Sequence, residues 1–197
     1  MNMSIALSMT AFALAASISP GPVNVVCLSS GTRYGLGAGL VFATGASVGF
    51  VMLFLGVGFG LNSLLERVPL LGDVIRWGGI AFLLYLSYRL ATASGEIENA
   101  TEPKPPGFFT GAVMQWLNPK AWLAAASGIG AYTAGAQIEL VLVFAMIYAP
   151  VCWLSLGFWV YAGAFLKRYV QRPAILRSVN LVLAALLVAS CLLLVFD

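Results

Sequence analysis

Residues 17–26, Ser-Ile-Ser-Pro-Gly-Pro-Val-Asn-Val-Val, decide how this chain folds. They lie within an apolar run, Ile5–Leu28, which as a helix is long enough to cross the hydrocarbon of a bilayer. Pro20 and Pro22 lack an amide hydrogen, and each ring clashes with the carbonyl four residues earlier. A carbonyl freed in hydrocarbon is costly unless protein or water pairs with it. The stretch therefore predicts a membrane helix that is broken near its middle.

Five further apolar runs follow, so the sequence predicts an all-α integral membrane protein with six transmembrane helices. The runs are continuously apolar, which excludes the alternating pattern of transmembrane β-strands. An interpretation with five spans stays open and would move one terminus across the membrane. The six predicted spans are Ile5–Leu28, Gly37–Leu61, Pro69–Ala91, Phe108–Ala134, Glu139–Leu166 and Ala174–Phe196.

The composition agrees with a lipid-embedded chain. Of 197 residues, 61% are hydrophobic and only 9% are charged, whereas soluble domains average about 25% charged residues. This excludes an ordinary soluble domain, a disordered chain, a disulfide scaffold and a nucleic-acid-binding protein. The chain has no histidine and no carboxylate pair within a span, so a membrane enzyme is the least favoured class. No metal and no cofactor are expected, and Cys27, Cys152 and Cys191 are interpreted as small buried hydrophobic residues.

A polar, proline-rich segment divides the single membrane domain into halves. Residues 92–107 form this predicted cytoplasmic loop, and residues 1–91 and 108–197 supply three spans each. Three spans per half give the halves opposite orientations, which predicts an inverted repeat. No Lys or Arg precedes Arg33, so the first span is expected to be a retained helix rather than a signal peptide.

The distribution of positive charge predicts the orientation. Lys and Arg concentrate in the connections after the first, third and fifth spans, which places these connections in the cytoplasm and both termini outside. The opposite side carries only Arg67 and Arg76. The cytoplasmic set comprises Arg33, Arg89, Lys104, Lys167, Arg168, Arg172 and Arg177.

A second interruption is predicted in the fourth span, at residues 115–120, Gln-Trp-Leu-Asn-Pro-Lys. Pro119 frees the carbonyl of Gln115, and Lys120 puts a charge into the span. Such a charge usually faces a cavity or a partner, although Lys120 could instead extend along its stem to the interface. Interrupted helices at corresponding positions of two repeats predict a transporter's binding site. The predicted substrate-binding residues are Pro20, Gly21, Pro22, Asn24, Gln115, Asn118, Pro119 and Lys120.

Glycines recur at intervals of four residues. Small residues at this spacing allow close approach of membrane helices. Packing within one chain is the favoured interpretation, and a homodimer seam is the alternative. The repeated glycines are Gly31, Gly35 and Gly39, then Gly45 and Gly49, then Gly56 and Gly60.

These residues together resemble the LysE/RhtB family of bacterial amino-acid exporters. The similarity rests on Pro20-Gly21-Pro22 with Asn24, on the glycines around residues 31–49, and on Asn118-Pro119-Lys120. It implies proton-driven efflux of amino acids or related zwitterions across the bacterial cytoplasmic (inner) membrane. The chain departs from the family at Phe50, where members typically carry Asp, and at residues 121–126, where an aromatic-rich run is usual.

The expected function is therefore secondary transport, in which a small neutral amino acid or derivative is exported by alternating access. The substrate carboxylate should meet the helix start after Pro22, with Asn24 and Lys120 assisting. The freed carbonyls of Ala16, Ile18 and Gln115 should accept from its ammonium group. The expected partners are the substrate and the lipid bilayer, without nucleic acid. A non-transporting membrane subunit or scaffold on the same fold is the alternative.

Overall fold

The structure, a computed structural model, describes residues 3–60, 104–133 and 138–169 without a gap. It also describes isolated positions between residues 67 and 92 and between residues 177 and 188. Within this described part the regular structure is entirely helical. Most of the predicted third and sixth spans lies outside the described residues, and so do Cys191, Arg76, Arg89 and Arg172.

Five helices make up the continuous part of the described chain. Two of them are long and apolar enough to cross a membrane: the second, with a mean hydropathy of 2.2, and residues Ile138–Leu166 of the fifth, with 2.1. The helices are α1 (Met3–Ile18), α2 (Pro22–Gly58), α3 (Phe108–Trp116), α4 (Pro119–Tyr132) and α5 (Ile138–Tyr169).

The helices are interrupted at both proline-containing stretches. Helix α1 ends at Ile18 and α2 begins at Pro22, with residues 19–21 non-helical between them. Helix α3 ends at Trp116 and α4 begins at Pro119. In both restarts proline occupies the first helical turn, where its missing N–H would have had no helical acceptor in any case.

The connection between the first two predicted spans is shorter than the sequence suggested. A loop was expected before Gly37, but α2 runs from the first interruption through both spans and bends only at Gly35. Gly35 has φ 84° and ψ −179°, a conformation open essentially to glycine alone. One residue therefore turns the chain, and the helical pattern continues on both sides of it.

Replacing Gly35 by alanine is expected to destabilise the protein by about 1–3 kcal/mol, through backbone strain alone. A Cβ at Gly35 would have no atom within 4 Å, so steric clash makes no contribution. Gly37→Ala is the matched control, because a Cβ there is equally unhindered and Gly37 does not have a positive φ. Unfolding of the purified variants in a denaturing detergent titration measures both. Equal stability of the two variants would contradict the assignment of Gly35 as the turning residue.

Glycines bring the helix backbones together inside the chain. A Cβ on Gly31 would collide with the carbonyl of Val160 in α5, and one on Gly163 would collide with the carbonyl of Leu28 in α2. Glycines at positions 45, 49 and 111 do the same between α2 and α3. The favoured interpretation of the glycine spacing, packing within one chain, agrees with these contacts.

One hydrogen bond joins the regions of the predicted third and sixth spans. The Ser87 hydroxyl donates to the carbonyl of Ala184 at 3.0 Å, and both residues are buried. The two residues are 97 positions apart. These two regions of the chain therefore touch at this point.

Candidate functional site

A small cavity lies where the two interruptions face each other. Its empty volume is about 340 Å³, a figure that includes open space at its mouth. Each of the five helices α1 to α5 contributes to its wall, α4 together with its cap. The lining residues are Ala16, Ser17, Val23, Asn24, Phe50, Gln115, Asn118, Lys120, Ala121, Ala124, Tyr148, Cys152 and Leu156.

The side chain of Lys120 joins the two interruptions. It leaves the first turn of α4, and its Nζ donates to the carbonyl of Ser19 and, at 3.3 Å, to that of Pro20. These carbonyls belong to the non-helical segment between α1 and α2. Lys120 therefore points into the protein, and the alternative in which it extends to the interface does not describe this structure.

Gly21 leaves the space that Lys120 occupies. A Cβ on Gly21 would lie 2.8 Å from Lys120 Cδ and 3.1 Å from Lys120 Nζ. The φ of Gly21 is −171°, an extended conformation that any residue adopts. The constraint on this position is therefore spatial: a side chain larger than that of glycine would make the end of the Lys120 side chain shift.

Two further side chains pair with the first interruption. The Asn24 amide donates to the carbonyl of Ser17 at 2.8 Å, and Asn24 itself is buried. The indole N–H of Trp159, on α5, donates to the carbonyl of Ile18 at 3.0 Å. The Ile18 carbonyl, freed by Pro22, and the Ser17 carbonyl near the end of α1 are thus paired within the protein, as a hydrocarbon environment requires.

The second interruption is held by its own polar side chains. Asn118 caps α4, since its Oδ1 accepts from the backbone N–H of Lys120 at 3.2 Å, and asparagine is among the best residues for this role. Its amide group donates to Gln115 Oε1 at 3.3 Å, and both side chains are buried. The Trp122 indole donates to the carbonyl of Trp116 at 2.7 Å.

The three carbonyls that were expected to accept from a substrate ammonium each have a donor inside the protein. The Ala16 carbonyl accepts from the Ser19 hydroxyl at 3.2 Å, and the Ile18 carbonyl accepts from Trp159. The Gln115 carbonyl accepts from the Asn118 backbone N–H at 3.2 Å. Each already has a donor inside the protein, because an unpaired carbonyl would be costly at this depth.

The structure brings all eight predicted binding residues to this region. Four of them, Asn24, Gln115, Asn118 and Lys120, line the cavity. Pro20 and Gly21 contact the Lys120 side chain. The remaining two, Pro22 and Pro119, begin the helices α2 and α4.

Four other notable lining residues were not predicted as site residues. Phe50 was noted only as a departure from the family pattern, and Tyr148 lies in an apolar span two residues before Pro150. A polar Tyr148 in an apolar span was a usable signal. Ser17 and Cys152 carry no sequence feature that separates them from ordinary buried residues.

An aromatic cluster of six rings covers one side of the cavity. Phe50 and Tyr148 belong both to the cluster and to the lining of the cavity, and their ring centroids are 4.5 Å apart. Most of the other pairs meet edge to face or tilted, which are favourable arrangements for aromatic rings. The cluster gives the cavity one apolar wall. Its members are Phe12, Phe50, Phe54, Tyr132, Phe144 and Tyr148.

The cavity is electropositive. Lys120 is the one charged residue among the described lining residues, and none of them is acidic. The first turns of α2 and α4 open onto the cavity at Val23, Asn24 and Ala121, and helix N-termini carry partial positive charge. No group of His, Cys, Asp or Glu suited to a metal occurs within the described ranges, where Cys27 and Cys152 are buried free thiols.

A helical membrane protein whose interrupted helices meet at a small polar cavity has the architecture of a membrane carrier. The profile of the LysE type translocator family matches residues 14–197, and the chain belongs to this family. It is therefore a translocator rather than an enzyme. The resemblance seen in the sequence is confirmed by this match.

The similar curated proteins are efflux proteins. The chain is 27% identical over 188 residues to the cysteine/O-acetylserine efflux protein of Salmonella typhimurium strain LT2, covering 90% of each chain. It has the same identity and coverage with the cysteine/O-acetylserine efflux protein of Escherichia coli strain K12. No solved structure shows a significant match to the chain.

Proposed function

We propose that the protein exports a small neutral amino acid or amino-acid derivative across a bacterial inner membrane by alternating access, driven by the proton gradient. The observation that carries this proposal is the Lys120 ammonium held at the junction of both interruptions, on the wall of a small cavity. The family match and the names of the 27% identical relatives support amino-acid efflux.

The substrate carboxylate binds between Lys120 and the start of α2. Lys120 supplies a charged donor, and the first-turn N–H groups of Val23 and Asn24 have no acceptor within their own helix. The substrate side chain lies against Phe50 and Tyr148. Without an acidic lining residue to pair with a second cation, lysine and arginine are poor substrates. The full proposed set is Pro20, Gly21, Pro22, Asn24, Gln115, Asn118, Pro119 and Lys120.

The proposed architecture is six spans arranged as two inverted three-helix repeats, residues 1–91 and 108–197, with both termini outside. Its support is the matching pair of interruptions, each followed by a helix with proline in its first turn. The contact between Ser87 and Ala184 also fits equivalent spans of two repeats. The bias of Lys and Arg among the loops supports the orientation.

Counterflow into proteoliposomes tests the function. Vesicles containing the purified protein and preloaded with unlabelled L-serine or L-cysteine are expected to accumulate the labelled amino acid above protein-free vesicles. L-Arginine is the control and should give little exchange. In parallel, the amino acid that exchanges in this assay should raise the melting temperature of the detergent-purified protein, since a ligand that binds only the native state stabilises it.

A scaffold on the same fold gives the opposite pattern. It would show no exchange and no thermal stabilisation across a panel of neutral, anionic and cationic amino acids, although the protein is correctly inserted. That outcome would overturn the export proposal and favour the non-transporting alternative.

A further inference from the structure

We infer that the cavity recognises its ligand through the carboxylate alone, so that small monocarboxylates with an acylated or absent α-nitrogen are ligands as well as amino acids. This inference rests on the proposed function, because it concerns the same cavity. It follows from the balance of donors, acceptors and charges around Lys120.

The cavity offers charged donors to a carboxylate. A lysine ammonium has three N–H groups, and two of those of Lys120 donate to the carbonyls of Ser19 and Pro20. The third remains for a ligand. The starts of α2 and α4 add partial positive charge at the same place, so a carboxylate finds a complementary field.

The cavity offers an ammonium group no comparable partner. None of the described lining residues is acidic. The carbonyls of Ser17, Ile18, Ser19 and Pro20 are engaged by the protein's own side chains. A ligand ammonium would therefore lie near the Lys120 charge without an anion to offset the repulsion.

The acceptors that do line the cavity are neutral. The lining residues Ser17, Asn24, Gln115, Asn118 and Tyr148 carry neutral side-chain oxygens, of which Asn118 Oδ1 and Gln115 Oε1 already accept one hydrogen bond each. A neutral amide N–H or a hydroxyl can donate to such oxygens without bringing a second positive charge into the cavity. An acylated nitrogen or a hydroxyl at the α-carbon therefore suits this wall, and an acyl methyl group suits the apolar rings of Phe50 and Tyr148.

Four probes built on one skeleton test the inference. L-Serine carries both charges, N-acetyl-L-serine and glycerate keep only the carboxylate, and ethanolamine keeps only the ammonium. Binding is measured on the full chain in detergent by thermal stabilisation, and transport by counterflow in proteoliposomes. N-acetyl-L-serine and glycerate are expected to have dissociation constants no more than about threefold above that of L-serine. Ethanolamine is expected to have one at least about 100-fold higher.

A matched pair of variants shows whether the carboxylate acts at Lys120. Lys120→Met should weaken the binding of L-serine, N-acetyl-L-serine and glycerate by a similar factor. Lys104→Met changes an exposed lysine ahead of α3, and should leave all three unchanged. If Lys120→Met lost the binding of L-serine alone, recognition through the carboxylate would be contradicted.

The outcomes separate the inference from the proposed function. If L-serine binds and exchanges but N-acetyl-L-serine and glycerate do neither, the ammonium is recognised, the inference is overturned and amino-acid export stands. If none of the carboxylates binds or exchanges, while the protein is folded, both the inference and the proposed function fail.

Discussion

Replacing Lys120 by methionine is expected to reduce transport roughly 10- to 100-fold, the range that loss of a hydrogen bond to a charged group produces. Methionine keeps much of the length and the apolar stem of lysine but removes the ammonium. The variant therefore loses both the donor for a substrate carboxylate and the contact with Ser19 and Pro20. Initial exchange rates in proteoliposomes measure the effect.

Two comparisons make this result interpretable. Lys104→Met removes a lysine from the exposed segment before α3 and should transport at the unmodified rate. Asn24→Ala removes the amide that donates to the Ser17 carbonyl. It should also lower transport, because the first turn of α2 loses its hydrogen bond to the end of α1. If Lys120→Met and Asn24→Ala both insert, elute as monodisperse protein and transport normally, the cavity is not the binding site.

Replacing Gly163 by alanine is expected to destabilise the protein by about 1–3 kcal/mol or more, the usual cost of overpacking. The new Cβ would meet the carbonyl of Leu28 and would lie 3.0 Å from the Thr32 backbone nitrogen. Both obstacles are backbone atoms of α2, which cannot rotate away. Relief requires α2 and α5 to separate, which weakens packing along the whole contact.

Gly157→Ala, on the same helix, is the matched control. A Cβ there has an ordinary contact of 3.8 Å with Leu40 Cδ2, and alanine forms helices more readily than glycine. This variant should be as stable as the parent or slightly more so. Reversible unfolding in mixed detergent micelles compares the three proteins. Equal unfolding midpoints for Gly163→Ala and Gly157→Ala would refute the close backbone contact between α2 and α5.

Local chemistry accounts for what the sequence could predict about the fold. Helices as long and apolar as α2 and α5 suit a crossing of lipid, and proline has the same effect on a helix wherever it lies. The turn at Gly35 was less accessible, because one glycine with positive φ is indistinguishable in sequence from the helical glycines on either side of it. The sequence consequently suggested a loop where a single residue suffices.

The candidate site divides in a similar way. Asn24, Asn118 and Lys120 were accessible because polar groups are rare inside apolar spans and usually have a role there. The partners of the freed carbonyls could not be predicted from the sequence, since Trp159 lies 141 residues from Ile18 and no local pattern relates the two residues. The contact of Phe50 with Tyr148 likewise depends on tertiary packing.

The long-range pairing of the first interruption has a consequence for synthesis of the protein. The carbonyls of Ser19 and Pro20 are paired with a side chain about a hundred residues later, and that of Ile18 with one later still. When the first helices leave the ribosome and enter the membrane, these partners have not been made. The N-terminal half cannot complete its own hydrogen bonding, so its maturation must wait until α4 and α5 arrive. A chain released before residue 108 should accordingly be a substrate for membrane quality-control proteases.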